Sequence, residues 1–250
     1  MPLETDHPAA TVIPEGEPTL LLEDGPLLAI NKPAGLLTQG VPDGLPSLEA
    51  WVKDYLKRRY NKPGNVYLGV PHRLDRPVSG VVVFARNSKA AARLAEQFRL
   101  RAVRKWYLAV TAAIPVPPEG MLADWLLKDP QRAQVTVVGA GTPSAREAVL
   151  RYAVLATQAQ TALVQVELLT GRMHQIRVQF ASRGWPLLGD VQYGGPPLDT
   201  ASTAIALHAE QLELRHPIRY DKIRLRAPLP ARWLQYGFAE ADVCRLPRPL

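Results

Sequence analysis

Cysteine is almost missing from this chain: Cys244 stands alone among 250 residues. One thiol excludes an intramolecular disulfide and a cysteine-based metal site, and it suits a reducing compartment. The histidines His72, His174, His208 and His216 follow no metal-ligand spacing, and no H-E-x-x-H pair occurs. Neither G-x-x-x-x-G-K-S/T nor G-x-G-x-x-G is present, and Ser79 lacks the G-x-S-x-G setting of a hydrolase nucleophile. No apolar run approaches the ~20 residues that span a bilayer. Met1 to Pro18 have neither the apolar core of a signal peptide nor the arginines of a transit peptide. The expectation is a cytoplasmic protein with no metal, no cofactor and no membrane partner.

What is present is an ordinary globular composition with a basic excess. Hydrophobic residues make up 47% and charged residues 21%, enough for one large core and against wholesale disorder. The net charge of +7 and pI of about 9.7 favour a polyanionic partner, nucleic acid above all, although a basic protein without such a partner fits composition alone equally well.

Residues 1–18 are polar and proline-rich and read as a flexible lead-in. Leu20–Leu22 and Leu27–Ile30 read as two strands around the turn Glu23-Asp24-Gly25-Pro26. Ser47 can cap a helix running to about Tyr60, with Leu48, Trp51, Val52, Tyr55 and Leu56 on one face. Gly80–Ala85 reads as a strand buried on both sides. Asn87-Ser88 caps a second helix to about Leu100, and Lys105–Ala112 is a strand. Residues 113–120 look like a linker loop. Strand-like stretches follow at 133–138, 145–155 and 162–169, then a helix over 174–182 after the turn Thr170-Gly171-Arg172, and strands over 205–214 and 222–227. Strands outnumber helices, and most neighbours can pair as hairpins. The fold class is α+β: a mixed, mainly antiparallel central sheet flanked by helices. One domain over 19–235 is expected, followed by a tail, 236–250.

The stretch Pro71-His72-Arg73-Leu74-Asp75-Arg76-Pro77-Val78-Ser79-Gly80 sets one carboxylate, Asp75, among Arg73, Arg76 and His72 at the approach to a buried strand. Flanking cations keep such a carboxylate ionised and oriented, which prepares a nucleophile or base. A structural ion pair at a strand entrance is the plainer reading of the same spacing. Tyr107 lies on the strand face opposite Trp106 and Leu108, where it can stack on a base or simply belong to the core. Arg172, His174, Gln175 and Arg177 give a basic first helical turn, an anion site or a solvated helix start.

Taken together these stretches resemble one family. Asn31-Lys32-Pro33-Ala34-Gly35 is similar to its NKPxG motif, and His72-Arg73-Leu74-Asp75-Arg76…Ser79-Gly80 to its HRLDxxTSG signature. Arg104-Lys105-Trp106-Tyr107-Leu108-Ala109 resembles KxYxA, and Leu169 to Val178 resembles LxTGRxHQIRxH. Pro186…Leu188-Gly189-Asp190…Tyr193-Gly194, Leu207-His208-Ala209 and His216-Pro217 complete the order. On these motifs, spanning about Leu20 to Pro230, the chain is identified as resembling the RluA-type pseudouridine synthases.

The resemblance implies isomerisation of uridine to pseudouridine in structured RNA, a ribosomal or transfer RNA stem-loop, by a monomer without cofactor. Asp75 would be the nucleophile, attacking C1′ or C6 or starting elimination to a glycal. Tyr107 would stack on the flipped base and serve in proton abstraction from C5, and Arg177 would pair with Asp75. Arg73 would fill the space left by the flipped base or meet phosphate. His72, Arg76, Lys32, Arg104, Lys105, Arg172 and His174 are the further RNA-contact candidates. The residues before Leu20 are too few for the small RNA-binding domain that many relatives carry. The basic segments 86–105 and 215–232 would then grip the RNA. The chain departs from the pattern at Val78, where Thr is usual, at Met173 and Gln179, and at Thr38-Gln39-Gly40. These departures bear on substrate subgroup. A non-catalytic RNA-binding or ribosome-assembly module on the same fold is the alternative. A metal-dependent nuclease lacks the carboxylate clusters it would need.

Overall fold

The structure is a computed structural model that describes residues 14–40, 45–199, 202–238 and 242. The lead-in expected before Pro14, most of the expected tail beyond Phe238, and Cys244 lie outside the described residues.

In chain order the elements are β1 (Thr19–Asp24), β2 (Leu27–Lys32), α1 (Leu48–Tyr60), β3 (Ser79–Ala85), α2 (Ser88–Arg99), β4 (Arg104–Thr111), β5 (Glu119–Lys128), β6 (Val135–Val138), β7 (Arg146–Gln158), β8 (Thr161–Leu168), α3 (Gln175–Ala181), β9 (Leu207–Arg215) and β10 (Lys222–Arg226). Short 3-10 helices lie at Val191–Tyr193 and Ala231–Tyr236. The ten strands form one sheet in the order β1-β2-β3-β9-β4-β8-β7-β5-β6, with β10 on β9. The strand pairs are antiparallel except β3 with β9, which is parallel. The α+β expectation holds.

The centre of the sheet is apolar on both faces, as the unbroken runs in β2 and β3 require. Leu28, Ile30, Val82 and Phe84 pack with Leu48, Val52 and Leu56 of α1. Leu27, Ala29, Val81 and Val83 pack on the other face with Ala90 and Leu94 of α2. Each of these leucines is fully buried, worth about 1.5–3 kcal/mol apiece relative to exposure. Both helices start at the expected caps: Ser47 accepts from the Ala50 N–H and Asn87 from the Ala90 N–H. Asn61 ends α1 in the left-handed conformation.

Two expectations are corrected. Residues 113–120 are not simply a linker, because β5 begins at Glu119 and pairs along its length with β7. Its inward positions are Leu122, Asp124 and Leu126, while Met121 and Trp125 are exposed. A polar residue inside and large apolar residues outside erase the alternation that marks a strand. The folded part also runs past 235: Phe238 is buried with Trp233 in a cluster under β4 and β8.

The sheet brings the signature loop to one place. Gly80 has φ +120°, and a Cβ there would lie 2.3–2.7 Å from the Ala209 backbone. Only glycine lets β3 approach β9 so closely, and that pairing delivers residues 71–79 beside β4.

Candidate active site

The loop before β3 has no regular structure, yet its backbone is clamped on both sides of Asp75. The Thr38 hydroxyl donates to the Leu74 carbonyl (2.9 Å) and accepts from the Leu74 N–H (3.2 Å). On the other side the Arg76 carbonyl accepts from the Gly35 N–H (2.8 Å) and from Lys32 Nζ (3.2 Å). Lys32 also donates to the carbonyls of Leu36 (2.7 Å) and Pro33 (3.0 Å). The expected RNA contact by Lys32 is therefore corrected. The side chain is completely buried, and burial pulls its pKa down to about 7 against the attraction of Asp75. It is a clamp inside the protein.

Asp75 opens into a cleft of about 610 Å³, the size of a nucleotide site. Arg73, Arg99, Arg101, Lys105, Arg172 and Arg177 line it together with His72, His174 and Tyr107, and Asp75 is the acid among the described lining residues. Two nitrogens from α3 and its start face the same oxygen: His174 Nε2 and Arg177 Nη1 each lie 3.7 Å from Asp75 Oδ2. Arg177 keeps its main grip elsewhere. Its Nε and Nη2 donate to the two oxygens of buried Asp190, both at 2.7 Å. Burial opposes the Arg177 charge, but the hydrogen-bonded Asp190 outweighs it and raises the Arg177 pKa. The fork is thus fixed by Asp190, and its remaining nitrogen faces Asp75.

Tyr107 comes from β4, across β9 from the loop. Burial raises its pKa and Asp75 raises it further, so the phenol stays protonated near neutrality. Lys105, two residues before it, is depressed to about 8, by burial and by repulsion from Arg101 and Arg172. Arg73, Arg101, Lys105 and Arg172 have no carboxylate within ion-pair distance among the described residues.

The remaining candidates divide. His72 lines the cleft, but its Nε2 accepts from the Val83 N–H (3.0 Å) and its ring stacks on Phe98. Burial, with Lys105 nearby, lowers its pKa to about 3, so it is a neutral strut for β3 rather than a cation for phosphate. Arg104 is turned away from the cleft: it donates twice to buried Glu167 and covers the Trp106 ring. Arg76 is exposed and donates to the Gly35 carbonyl (3.2 Å) outside the cleft. The basic segment 215–232 is largely neutralised. Arg219 pairs with Asp24, Arg224 with Glu213, Arg226 with Glu210, and Arg232 with Glu15 and Asp199.

Packing accommodates Val78 and Met173, two of the departures from the family pattern, while Gln39 Oε1 and Gln179 Oε1 are buried without a hydrogen-bond partner among the described residues. Val78 is buried in the apolar cluster with Leu74 and Ile176. Met173 packs against Leu126 and Val178, and Gln179 donates to Asp124 (2.7 Å) and the Ala148 carbonyl (3.2 Å) of the neighbouring strands.

With this arrangement described, comparison with known proteins is decisive. The family model described as RNA pseudouridylate synthase matches residues 26–182. The chain belongs to the RluA-type RNA pseudouridine synthases. It is 36% identical over 230 residues to the "Uncharacterized RNA pseudouridine synthase YhcT" of Bacillus subtilis, covering 89% of this chain and 72% of that one. It is 34% identical over 223 residues to the "Dual-specificity RNA pseudouridine synthase RluA" of Escherichia coli, covering 86% and 95%. Among solved structures, human RNA Pseudouridylate Synthase Domain Containing 4 superimposes with a TM-score of 0.73 at 26% identity, covering 90% of this chain and 92% of that one. As a pseudouridine synthase the chain is an isomerase: it reconnects uracil to the same ribose through C5 instead of N1.

Sequence reasoning assigned no role to Asp190, Tyr193 or Thr38. Asp190 and Tyr193 stood inside a quoted motif. The available signal was an acid in a Gly-Asp turn downstream of a helix that carries a buried arginine.

Proposed function

We propose that Asp75 is the nucleophile of this synthase, acting on a uridine at a specific site of structured RNA, either ribosomal or transfer RNA. One observation carries this reading: among the described residues a single acid lies among the cations of a nucleotide-sized cleft, with one carboxylate oxygen faced by His174 Nε2 and Arg177 Nη1. The target nucleotide leaves its stack at a cost of a few kcal/mol, which favours loop positions. The unpaired cations Arg101, Lys105 and Arg172 take the phosphates, and Arg73, exposed at the cleft, enters the space left by the base. Asp75 then attacks at C1′ or C6, or starts elimination; by each route the C1′–N1 bond breaks and a C1′–C5 bond forms. The C5 proton leaves and N1 ends protonated, so atoms and electrons balance within the nucleotide. Tyr107 stacks on the base and enters as the protonated phenol, taking the C5 proton only as its own is passed on. The synthase acts as a monomer in the cytoplasm.

The test is Asp75→Asn. Pseudouridine formation in RNA from cells lacking the protein should fall roughly a thousandfold or more, as for loss of a covalent catalyst. RNA affinity should stay within about twofold, since the contacts to phosphate are intact. A variant that keeps its activity, or a wild-type chain that converts no uridine, overturns the assignment; the second result is what a purely RNA-binding module would give.

A further inference from the structure

Tyr193 has no part in the roles assigned above, and it lies beyond the segment that the family model matches. Its hydroxyl lies at the junction of three elements. It accepts from the Val135 N–H of β6 (3.0 Å) and lies 2.8 Å from His174 Nδ1. The His174 and Tyr193 rings meet edge-on, with centroids 5.6 Å apart. The Arg177 guanidinium lies over the Tyr193 ring, 4.9 Å from its centroid. Both groups that face Asp75 Oδ2 therefore rest on this one tyrosine. His174 is also held at φ +51°, an uncommon conformation for a residue with a side chain, which points to a fixed ring position.

Proton placement follows from these contacts. The Val135 N–H occupies one lone pair of the phenol oxygen, so the phenol's own proton needs an acceptor. Among the described residues the acceptor within reach is His174 Nδ1. With Nδ1 accepting, a neutral imidazole carries its proton on Nε2, the atom that faces Asp75. Burial favours the neutral ring and lowers the His174 pKa, outweighing Asp75, which pulls the other way. We propose that Tyr193 is a positioning residue: its hydroxyl fixes His174 as the Nε2–H tautomer, which turns that N–H toward Asp75 Oδ2, 3.7 Å away. The structure also says why Tyr193 stays in place. Gln192, beside it, donates to the Ala133 carbonyl (2.8 Å) and accepts from Arg177 Nη2 (2.9 Å), so the β5–β6 hairpin and the turn 191–193 lock together.

The catalytic part of this proposal rests on Asp75 being the nucleophile; the tautomer does not, and two measurements separate them. Long-range nitrogen–proton NMR of the full chain near neutral pH reads the histidine tautomers, with the His174 signals assigned by their loss in His174→Gln. His174 should show a bare Nδ1 and a protonated Nε2. Tyr193→Phe keeps the ring under Arg177 and removes only the hydroxyl, so this pattern should be lost. An Nδ1–H tautomer or an imidazolium in the wild type, or a pattern unchanged in Tyr193→Phe, overturns the proposal. Kinetics on RNA from cells lacking the protein should show kcat falling about tenfold in Tyr193→Phe with KM unchanged, the size expected for one lost hydrogen bond. In the His174→Gln background, where an amide N–H can replace Nε2–H, Tyr193→Phe should have no further effect. An unchanged kcat, or an equal loss in that background, overturns the relay through His174. Failure of the Asp75 reading would instead show as full activity of Asp75→Asn with the tautomer intact. If Tyr193→Phe fails to fold, the wild-type tautomer and the comparison of His174→Gln with His174→Leu decide. Gln should retain activity that Leu loses, and equal losses count against the proposal.

Discussion

Two regions of this synthase carry a similar surplus of Arg and Lys and do different work. Around the cleft, Arg73, Arg101, Lys105 and Arg172 converge without carboxylate partners, close enough that mutual repulsion helps to lower the Lys105 pKa. Along β9, β10 and the following turn, Arg219, Arg224, Arg226 and Arg232 each meet an acid. In sequence 86–105 and 215–232 look alike as RNA grips, yet in the first Arg86, Arg99 and Arg104 are also paired, with Glu23, Glu96 and Glu167. In the fold, the cleft presents uncompensated charge gathered from several segments, while the β9–β10 region fastens a sheet edge. What attracts a polyanion is charge left over after local pairing, which a count of basic residues does not report.

The strongest way to break this comparison is to empty the cleft. Arg101→Ala, Lys105→Ala and Arg172→Ala together should weaken RNA binding by roughly 10²-fold at moderate salt and flatten the salt dependence of the affinity by about two log units per log unit, at ~0.7 per phosphate contact. Titration at several salt concentrations measures both. The counterpart, Arg219→Ala, Arg224→Ala and Arg226→Ala, should leave affinity within about twofold. It should instead lower the melting temperature by several degrees, chiefly because buried Glu210 loses Arg226, a penalty of about 1–3 kcal/mol. If this edge triple costs as much RNA affinity as the cleft triple, the distinction fails.

A smaller effect sharpens the contrast with acid. His72 and His208 both brace β3 as neutral rings, His72 accepting from Val83 and His208 Nδ1 meeting the Ser79 hydroxyl at 2.8 Å. Burial, above all, depresses them to about 3 and about 4. Their folded values lie below the unfolded value near 6.5, so the unfolded chain binds more protons in between. Their stabilisation is complete above about pH 6.5 and declines as pH falls toward 4. The melting temperature should drop over that window, and less so in His72→Gln. A flat profile between pH 6.5 and 4.5 would show that these rings do not brace the loop.

Much of this was legible beforehand, and the exceptions have physical causes. The helix caps, the doubly buried β3 and the Asp75 loop follow from patterns within a few residues. β5 was not legible because Asp124 points inward to Gln179 and Arg183, which breaks the apolar alternation. Lys32 and Arg104 were read as surface cations since sequence gives charge but not burial; one is a clamp and the other a partner of Glu167. Asp190 and Tyr193 could not be assigned because their partners, Arg177, His174 and Val135, lie on other elements. Val78, where the family has a hydroxyl, is explained only by its apolar neighbours.

The Thr38 clamp has a consequence for motion. By accepting from the Leu74 N–H and donating to its carbonyl, one side chain supplies what a neighbouring strand would, and Gly35 does half as much for Arg76. Asp75 therefore sits on a loop that is irregular in shape but tethered like a ladder rung, with little freedom to move on the timescale of loop fluctuations. The adjustment that brings uridine and carboxylate together falls to the nucleic acid. Uridines in stretches that unstack readily should be selected over those in rigid helices, whatever their flanking sequence.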